Sequence, residues 1–228
     1  MTHLDLAARP HEAALIIFDC DGVLIDSEWI ACEVFSEVLS QHGFVCTPDD
    51  IARLLLGMST RSMLTIIERE YGRVPGPEVM VAVRHRLFDA FSERLQPMAG
   101  IRDLLRYLTV KYCVASSSDP ERLRHSLGHV GLYDGFAPNI FSATMVANGK
   151  PAPDLFLYAA AEMGAASAHC VVIEDSVAGI TAARAAGMTA IGFTGGQHCR
   201  PDHASKLSAA GAHRVIASYM ELMTDAVS

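Results

Sequence analysis

The sequence predicts an α/β protein in which a doubly wound parallel sheet carries an inserted all-helical segment. Two observations predict this fold. Short apolar runs that end in polar clusters alternate with helical patterns, and one long helical block interrupts this alternation after the first run. That first run, Leu15–Phe18, leads directly into Asp19, Cys20, Asp21 and Gly22. A short, uninterrupted apolar run is typical of a strand buried on both faces of a parallel sheet.

The helical block follows the first strand and spans residues 28–96. Its first helix shows apolar residues at helical spacing behind a capping Asp26 or Ser27, and further helices are predicted at about 48–56, 60–71 and 77–95. No strand pattern interrupts the block. We therefore expect residues 28–96 to form a helical cap over the carboxyl end of the sheet, and residues 1–27 and 97–228 to form the core.

Strands and helices alternate again from residue 97 onward. Strands are predicted at 112–115, 139–142, 170–173 and 189–193, and a last strand–helix pair at about 214–225. This alternation predicts parallel strands joined by right-handed crossovers.

Composition excludes several classes of protein. The chain has 228 residues, half of them hydrophobic, and a net charge of −8 without a basic stripe, so we expect neither nucleic acid nor membrane as a partner. It has no apolar stretch long enough to span a bilayer, and we do not expect residues 1–10 to act as a signal peptide, because they include Asp5 and Arg9 and no long apolar run. Six scattered cysteines without a Cys-x-x-Cys pair predict reduced thiols in a cytoplasmic protein, and a monomer is the default expectation.

Polar clusters of three kinds follow three of the predicted strands, and a lysine joins them from a proline-braced loop. The clusters are Asp19/Asp21, Ser116–Ser118 and Glu174/Asp175, and the lysine is Lys150. Ligands bind at the carboxyl ends of the strands in open α/β sheets, so these side chains are expected to converge. An acidic turn after a strand is common for turn-forming reasons alone, but three such clusters with a lysine are hard to explain in that way.

These residue types suit phosphoryl chemistry. Carboxylates without nearby Cys or His ligands favour Mg²⁺, which is held by one or two carboxylates together with substrate phosphate. One aspartate can then attack phosphorus, and a second carboxylate two residues on can reach the leaving oxygen as general acid. Ser116, Lys150 and backbone N–H groups can hold the phosphoryl oxygens, and Gly22 is a candidate for binding substrate.

Four ordered motifs within residues 14–195 resemble the haloacid dehalogenase superfamily, in its β-phosphoglucomutase-like phosphatase branch with a helical cap. The motifs are Asp19-x-Asp21-Gly22-Val23-Leu24-x-Asp26-Ser27-Glu28, Val114-Ala115-Ser116, Lys150-Pro151-x-Pro153-Asp154 and Glu174-Asp175-Ser176-x-x-Gly179. The resemblance implies a Rossmann-like core and a Mg²⁺-dependent phosphatase that hydrolyses a sugar phosphate or a phosphorylated sugar acid through an aspartyl-phosphate.

The resemblance also implies roles for individual residues. Asp19 is the expected nucleophile and a metal ligand, and Asp21 is the expected general acid and base and binds the metal through its backbone carbonyl. Ser116 and Lys150 are expected to bind the phosphoryl group. Asp175 is an expected Mg²⁺ ligand, with Glu174 in or next to the coordination shell.

Two positions bear on the reaction. Similar enzymes that isomerise glucose phosphates carry a histidine where this chain has Ala31, which favours hydrolysis and leaves a phosphosugar mutase as the alternative. Members of the superfamily that dehalogenate 2-haloacids lack the second aspartate, so Asp21 favours phosphate chemistry. A phospho-acceptor switch of the receiver type is a third reading, but receivers are about half this length and have no helical lid.

Several further residues have two interpretations each. Arg61 either binds a substrate anion or is a surface arginine, and Ser117 and Ser118 either bind substrate or cap the next helix. His198, Cys199 and His203 could be imagined as a metal cluster, but their spacing is poor for zinc.

Overall fold

Six parallel strands form one sheet in the order β3-β2-β1-β4-β5-β6. The computed structural model describes residues 7, 12–55 and 60–224, without the side chains of residues 55, 60–62 and 224. The strands are β1 (Leu15–Phe18), β2 (Lys111–Ser116), β3 (Ile140–Ser142), β4 (Cys170–Glu174), β5 (Thr189–Phe193) and β6 (Arg214–Ile216). The chain runs outward from β1 in both directions, which confirms the doubly wound sheet and places its topological switch point at β1.

The register of the central strands brings their carboxyl ends to one edge. Phe18 at the end of β1 pairs with Val114 of β2 on one side and with Ile173 of β4 on the other. The residues that follow these positions therefore emerge side by side. This edge carries the polar clusters.

Side chains alternate between the two faces of the sheet along each strand. Both faces therefore carry apolar side chains, and helices cover both. Leu15 and Ile17 belong to a core layer with helices α8 and α9, whereas Ile16 and Phe18 belong to a larger layer on the other face. The helices are α1 (Glu28–Gln41), α2 (Pro48–Leu55), α3 (Thr60–Tyr71), α4 (Pro77–Arg94), α5 (Ile101–Tyr107), α6 (Pro120–His129), α7 (Tyr133–Phe136), α8 (Asp154–Glu162), α9 (Val177–Ala185), α10 (His203–Ala209) and α11 (Met220–Thr224). The short helices α7 and α10 are absent from the sequence prediction.

Helices α1–α4, here called the cap helices, occupy the chain between β1 and the α5–β2 unit. Arg84 of α4 forms an ion pair of 2.9 Å with Asp119 at the start of α6, and Asp49 of α2 pairs with Arg200 in the loop after β5. Asp119 and Arg200 both follow strand carboxyl ends, so the cap helices contact the polar edge of the sheet. None of the described helices is long and apolar enough to cross a membrane.

Candidate active site

The carboxyl edge of the sheet buries polar side chains from three strand ends. Asp19 follows β1, Ser116 ends β2, and Glu174 ends β4 with Asp175 directly after it. All four residues are buried, together with Asp21. The strands are apolar because both faces of the sheet are covered, so the first residues beyond them are the first that can carry charge into this edge. The structure thus brings the predicted clusters together.

Lys150 lies between two of these carboxylates. Its Nζ donates hydrogen bonds to Asp19 Oδ1 at 2.8 Å and to Glu174 Oε2 at 2.7 Å, and only 3% of the lysine side chain is exposed. Burial alone would lower the pKa of Lys150, but the charges of Asp19 and Glu174 raise it above its usual range. Lys150 is therefore a permanent cation that partly neutralises the acidic edge.

Glu174 is fixed by the start of α9. Its Oε1 accepts hydrogen bonds from the backbone N–H and the hydroxyl of Ser176, and that hydroxyl caps α9 by accepting from the N–H of Gly179. A Cβ on Gly179 would lie 2.0 Å from Glu174 Cδ. The spacing of the fourth motif therefore reflects a helix cap that leaves room for the Glu174 carboxylate.

Asp19, Glu174 and Asp175 form a cluster with the donor set of a hard divalent cation. Each offers a carboxylate oxygen, and these oxygens all lie within 4.8 Å of one another. Burial, then the charge of Glu174, raises the pKa of Asp19 and of Asp175. Asp175 Oδ2 is buried and has no hydrogen-bond partner among the described residues. A small dication would relieve this repulsion, and carboxylate oxygens are the donors that Mg²⁺ prefers, so the residues fit Mg²⁺.

Asp21 belongs to a separate set of contacts. Its Oδ1 accepts hydrogen bonds from Ser27 Oγ at 2.6 Å and Arg122 Nη2 at 2.7 Å, and its Oδ2 accepts one from Ser118 Oγ at 2.6 Å. Burial works to raise the pKa of Asp21, but the Arg122 charge and the two hydroxyl donors lower it overall. Two aspartates separated by one residue therefore have pKa values shifted in opposite directions.

Gly22 is required where Asp175 packs against the first loop. Its φ of +73° lies in the left-handed region, and a Cβ there would lie 2.0 Å from Asp175 Oδ2. His198 also closes on this point, because its Nε2 lies 2.9 Å from the same oxygen, without the alignment of a hydrogen bond. Gly22 therefore leaves the room that the Asp175 carboxylate needs.

The remaining predicted residues have mixed outcomes. Ser117 is exposed, and the hydroxyl that reaches Asp21 belongs to Ser118. The helix-capping interpretation of Ser117 and Ser118 is wrong, because Asp119 caps α6 by accepting from the N–H groups of Glu121 and Arg122. Arg61 lies in the first turn of α3, and its side chain is outside the described part of the chain.

Sequence reasoning missed the contacts that four residues make beside the site, although it named Ser27 as a candidate helix cap and His198 as part of a poorly spaced metal cluster. Arg122 and Ser27 bind Asp21, and Ser27 does so although it stands at the N-cap of α1 and makes no capping bond. Burial, then the charges of Asp21 and Asp175, raises the pKa of Glu28 to about 8, so this carboxyl is protonated at neutral pH. The fourth is His198. Ser27 and Glu28 belong to the first motif, and this membership is the sequence signal that could have indicated their place beside Asp21.

His198, Cys199 and His203 lie together, with potential ligand atoms within 4.8 Å of one another. The two rings also contact Asp175: His203 Nε2 lies 2.6 Å from the Asp175 carbonyl oxygen. Both histidines therefore pack against Asp175, His198 at its carboxylate and His203 at its backbone carbonyl.

A cavity of about 880 Å³ adjoins this site between the cap helices and the core. Core residues Pro151, Ser176 and His203 line one side, and Asp49 and Arg53 of α2 line the other. Its walls therefore combine charged residues of α2 with residues that neighbour the acidic cluster, whereas Asp19, Glu174 and Asp175 do not line it.

Comparison with known proteins identifies a family and its relatives. The model of the haloacid dehalogenase-like hydrolase family matches residues 16–193. A 6-phosphogluconate phosphatase of Escherichia coli (strain K12) is 29% identical over 82% of this chain and 85% of its own length. A beta-phosphoglucomutase of Bacillus subtilis (strain 168) is 33% identical over 80% of this chain and 84% of its own length.

A solved structure matches nearly the whole chain. A conserved haloacid dehalogenase-like protein of unknown function from Agrobacterium tumefaciens superposes with a TM-score of 0.81 and 39% sequence identity. The match covers 94% of this chain and 97% of that protein. Its extent includes both the sheet and the cap helices.

Proposed function

Because the chain belongs to the haloacid dehalogenase-like hydrolase family, we propose that it is a Mg²⁺-dependent phosphatase acting on a small phosphorylated metabolite. The finer proposal is a sugar phosphate or phosphorylated sugar acid, hydrolysed through an aspartyl-phosphate. One observation carries it: Asp19 is paired with Lys150 beside the acidic cluster, whereas Asp21 is held apart by its own three donors. The phosphatase relative in Escherichia coli supports the substrate class.

The acidic cluster would hold the metal. Asp19, Glu174 and Asp175 supply carboxylate oxygens, and the backbone carbonyl of Asp21 is a further candidate ligand. When bound, Mg²⁺ would neutralise the charge between these carboxylates and the incoming phosphate. Lys150 contributes a second, permanent positive charge at Asp19.

Asp19 is the proposed nucleophile in the first step. Lys150 holds Oδ1, which leaves Oδ2 to attack phosphorus while the bond from phosphorus to the leaving oxygen breaks. The side chain of Asp21 donates a proton to that oxygen, so the product leaves as a neutral alcohol. Asp21 is ionised in the arrangement seen here, so it must take up a proton and exchange a hydrogen-bond donor before it can act as the acid.

Asp21 works as a base in the second step. It accepts a proton from a water molecule that attacks the phosphorus of the aspartyl-phosphate, which releases inorganic phosphate and regenerates Asp19. The low pKa of Asp21 returns it to the carboxylate form once the proton is passed on.

The cavity between α2 and the core is the proposed site for the rest of the substrate. Its volume of about 880 Å³ accommodates a phosphorylated sugar, and the carboxylate of Asp49 and the guanidinium of Arg53 can bind hydroxyl groups. This proposal makes the cap helices the source of substrate selectivity.

A phosphate-release screen over a few dozen phosphorylated metabolites tests the function. We expect Mg²⁺-dependent release from one or more sugar phosphates, loss of release in excess chelator, and loss in Asp19→Asn. Glu33→Gln, a surface change in α1, serves as the matched carboxylate control and should retain activity. Near-full activity of Asp19→Asn or full activity in chelator would refute the proposal.

A phosphosugar mutase is the second candidate, favoured by the 33% identity to the Bacillus subtilis enzyme. Ala31, where mutases of this kind carry a histidine, argues against it. Formation of an isomeric sugar phosphate without release of inorganic phosphate would establish the mutase and refute the phosphatase.

A further inference from the structure

Arg122 reaches the same carboxylate that the proposed mechanism uses as acid and base. It is the third residue of α6, its backbone N–H donates to the capping carboxylate of Asp119, and its Nη2 lies 2.7 Å from Asp21 Oδ1. The guanidinium also lies over the ring of Phe91 from α4, at 5.4 Å from the ring centre. Arg122 is thus held by the core helix and packed beneath a cap helix.

The stability of α6 does not favour an arginine at this position. A cation in the first turn of a helix opposes the helix dipole. The Nε of Arg122 is buried and has no hydrogen-bond partner among the described residues. A guanidinium that loses its hydrating water is often no better for stability than an apolar side chain of similar size. The position therefore requires an account in terms of function.

The two oxygens of Asp21 differ in what their partners can do. Oδ1 accepts from the Ser27 hydroxyl and from Arg122, and Arg122 has a permanent charge and no acceptor atom, so a proton on Oδ1 would break its contact with Arg122. Oδ2 accepts from the Ser118 hydroxyl, which can turn and accept a hydrogen bond from a protonated Oδ2. The surroundings therefore leave Oδ2 as the oxygen that can gain and lose a proton.

We propose that Arg122 is a positioning residue that anchors Oδ1 of Asp21 and so presents Oδ2 to the reacting oxygen. This inference rests on the proposed phosphatase function. In the first step Oδ2 gives its proton to the leaving oxygen as the phosphorus–oxygen bond breaks, and in the second step it takes a proton from the attacking water. Arg122 holds Oδ1 throughout and exchanges no proton.

Two substrates of nearly equal shape test the proposal. The leaving group of p-nitrobenzyl phosphate is an alkoxide that needs a proton, whereas p-nitrophenyl phosphate releases a stabilised phenolate that does not. The ratio kcat/KM reports only the steps up to release of the alcohol or phenol, so hydrolysis of the phosphoenzyme does not enter the comparison.

We expect Arg122→Met to lower kcat/KM for p-nitrobenzyl phosphate about 100-fold, within the usual range for loss of general acid catalysis. The value for p-nitrophenyl phosphate should fall less than about 5-fold, because that step does not use the acid. Arg122→Lys should show the same selectivity with a smaller loss, since it keeps the charge. Arg124→Met, an exposed arginine on the same helix, is the matched control and should leave both values unchanged.

The outcomes separate the two proposals. An equal loss on both substrates, or no loss on either, in a variant whose circular dichroism spectrum matches the wild type would overturn the positioning role. If Arg122→Met does not fold, the same criterion applies to Arg122→Lys. A wild-type protein that releases phosphate in Mg²⁺ neither from these substrates nor from any metabolite of the screen refutes the phosphatase function, and the inference falls with it.

Discussion

At the scale of single residues, the site depends on two glycines as much as on its charged side chains. Gly22 lets the Asp175 carboxylate reach the first loop, and Gly179 gives the Glu174 carboxylate its space. Both glycines stand inside sequence motifs. Each therefore marks a close approach between the backbone and a buried charge.

Gly22→Ala should reduce both stability and phosphatase activity. The left-handed backbone costs about 1–2 kcal/mol for a residue with a Cβ, and displacement of Asp175 adds to this cost and weakens metal binding. We expect activity to fall at least about 10-fold, the lower end for a disturbed metal ligand. Urea unfolding and initial rates of phosphate release measure the two effects.

Gly187→Ala is the matched control for this change. Gly187 has a nearly identical φ of +72°, but no atom lies within 4 Å of an added Cβ. It should lose about 1–2 kcal/mol from the backbone alone and keep its activity. Equal losses of stability and full activity in both variants would show that the contact with Asp175 is unimportant.

Some site residues were predictable from the sequence and others were not. The two groups differ in what determines the direction of their side chains. Asp19 and Asp175 follow buried strands and Glu174 ends one, and parallel strands must end at a common edge, so their convergence was predictable. Arg122 and His198 lie on a helix and a loop, where the direction of a side chain depends on packing between distant segments. The only sequence signal for Arg122 was its place in the first turn after Ser116–Ser118.

At the scale of elements, α6 joins the cap helices to the site. Arg84 of α4 pairs with Asp119 at the start of α6, and His125 of α6 stacks on Phe88 of α4 with ring centres 4.5 Å apart. Arg122 of the same helix binds Asp21. A displacement of α4 would therefore be transmitted through α6 to the general acid.

Asp119→Asn tests the charge at this junction while keeping a good N-cap. Burial works to raise the pKa of Asp119, but hydrogen bonds from Arg84 and from backbone N–H groups lower it overall. The folded pKa thus lies below the unfolded value, so the carboxylate stabilises the protein above about pH 4 and this contribution is lost as the pH falls through the folded pKa.

We expect the variant to be less stable by about 0.5–1 kcal/mol at pH 7, a small value because both partners are about one-third exposed. The difference should shrink toward zero as the pH falls below about 4. Urea unfolding of both proteins between pH 3 and pH 7, roughly spanning this window, measures it. Asp103→Asn in α5 is the exposed control, and a difference that grows toward low pH would contradict the account.

The pattern of apolar residues predicted the main helices and strands. The elements that it did not predict are short helices. The cap helices and the six strands lie close to their predicted positions, because their apolar residues repeat clearly over several turns or fill a whole strand. Helix α7 spans only four residues, and α10 has Leu207 as its one buried side chain, so neither shows a periodic apolar pattern. The bounds of the cap and core as separate units stay a prediction.

At the scale of the whole molecule, the acidic cluster should couple metal binding to folding. The buried carboxylates repel one another, so a cation that binds only the folded state stabilises it. Thermal unfolding in saturating Mg²⁺ and in chelator should differ by several degrees for the wild type, about the effect of 1–2 kcal/mol in a domain of this size.

Asp175→Asn should abolish this shift. The variant also removes one of the repelling charges and should unfold in chelator no earlier than the wild type. Asp154→Asn, outside the cluster, is the control that should keep the full Mg²⁺ shift. A wild-type shift that survives in Asp175→Asn would place the metal elsewhere.

The central claim is that Asp19 becomes phosphorylated during turnover, and rapid acid quenching tests it most directly. Enzyme mixed with a ³²P-labelled sugar phosphate in Mg²⁺ is quenched within one turnover, digested and mapped by mass spectrometry. We expect the label on Asp19 and its decay to inorganic phosphate when unlabelled substrate is added before quenching. Label on any other residue, or steady phosphate release from Asp19→Asn at the wild-type rate, would contradict the account.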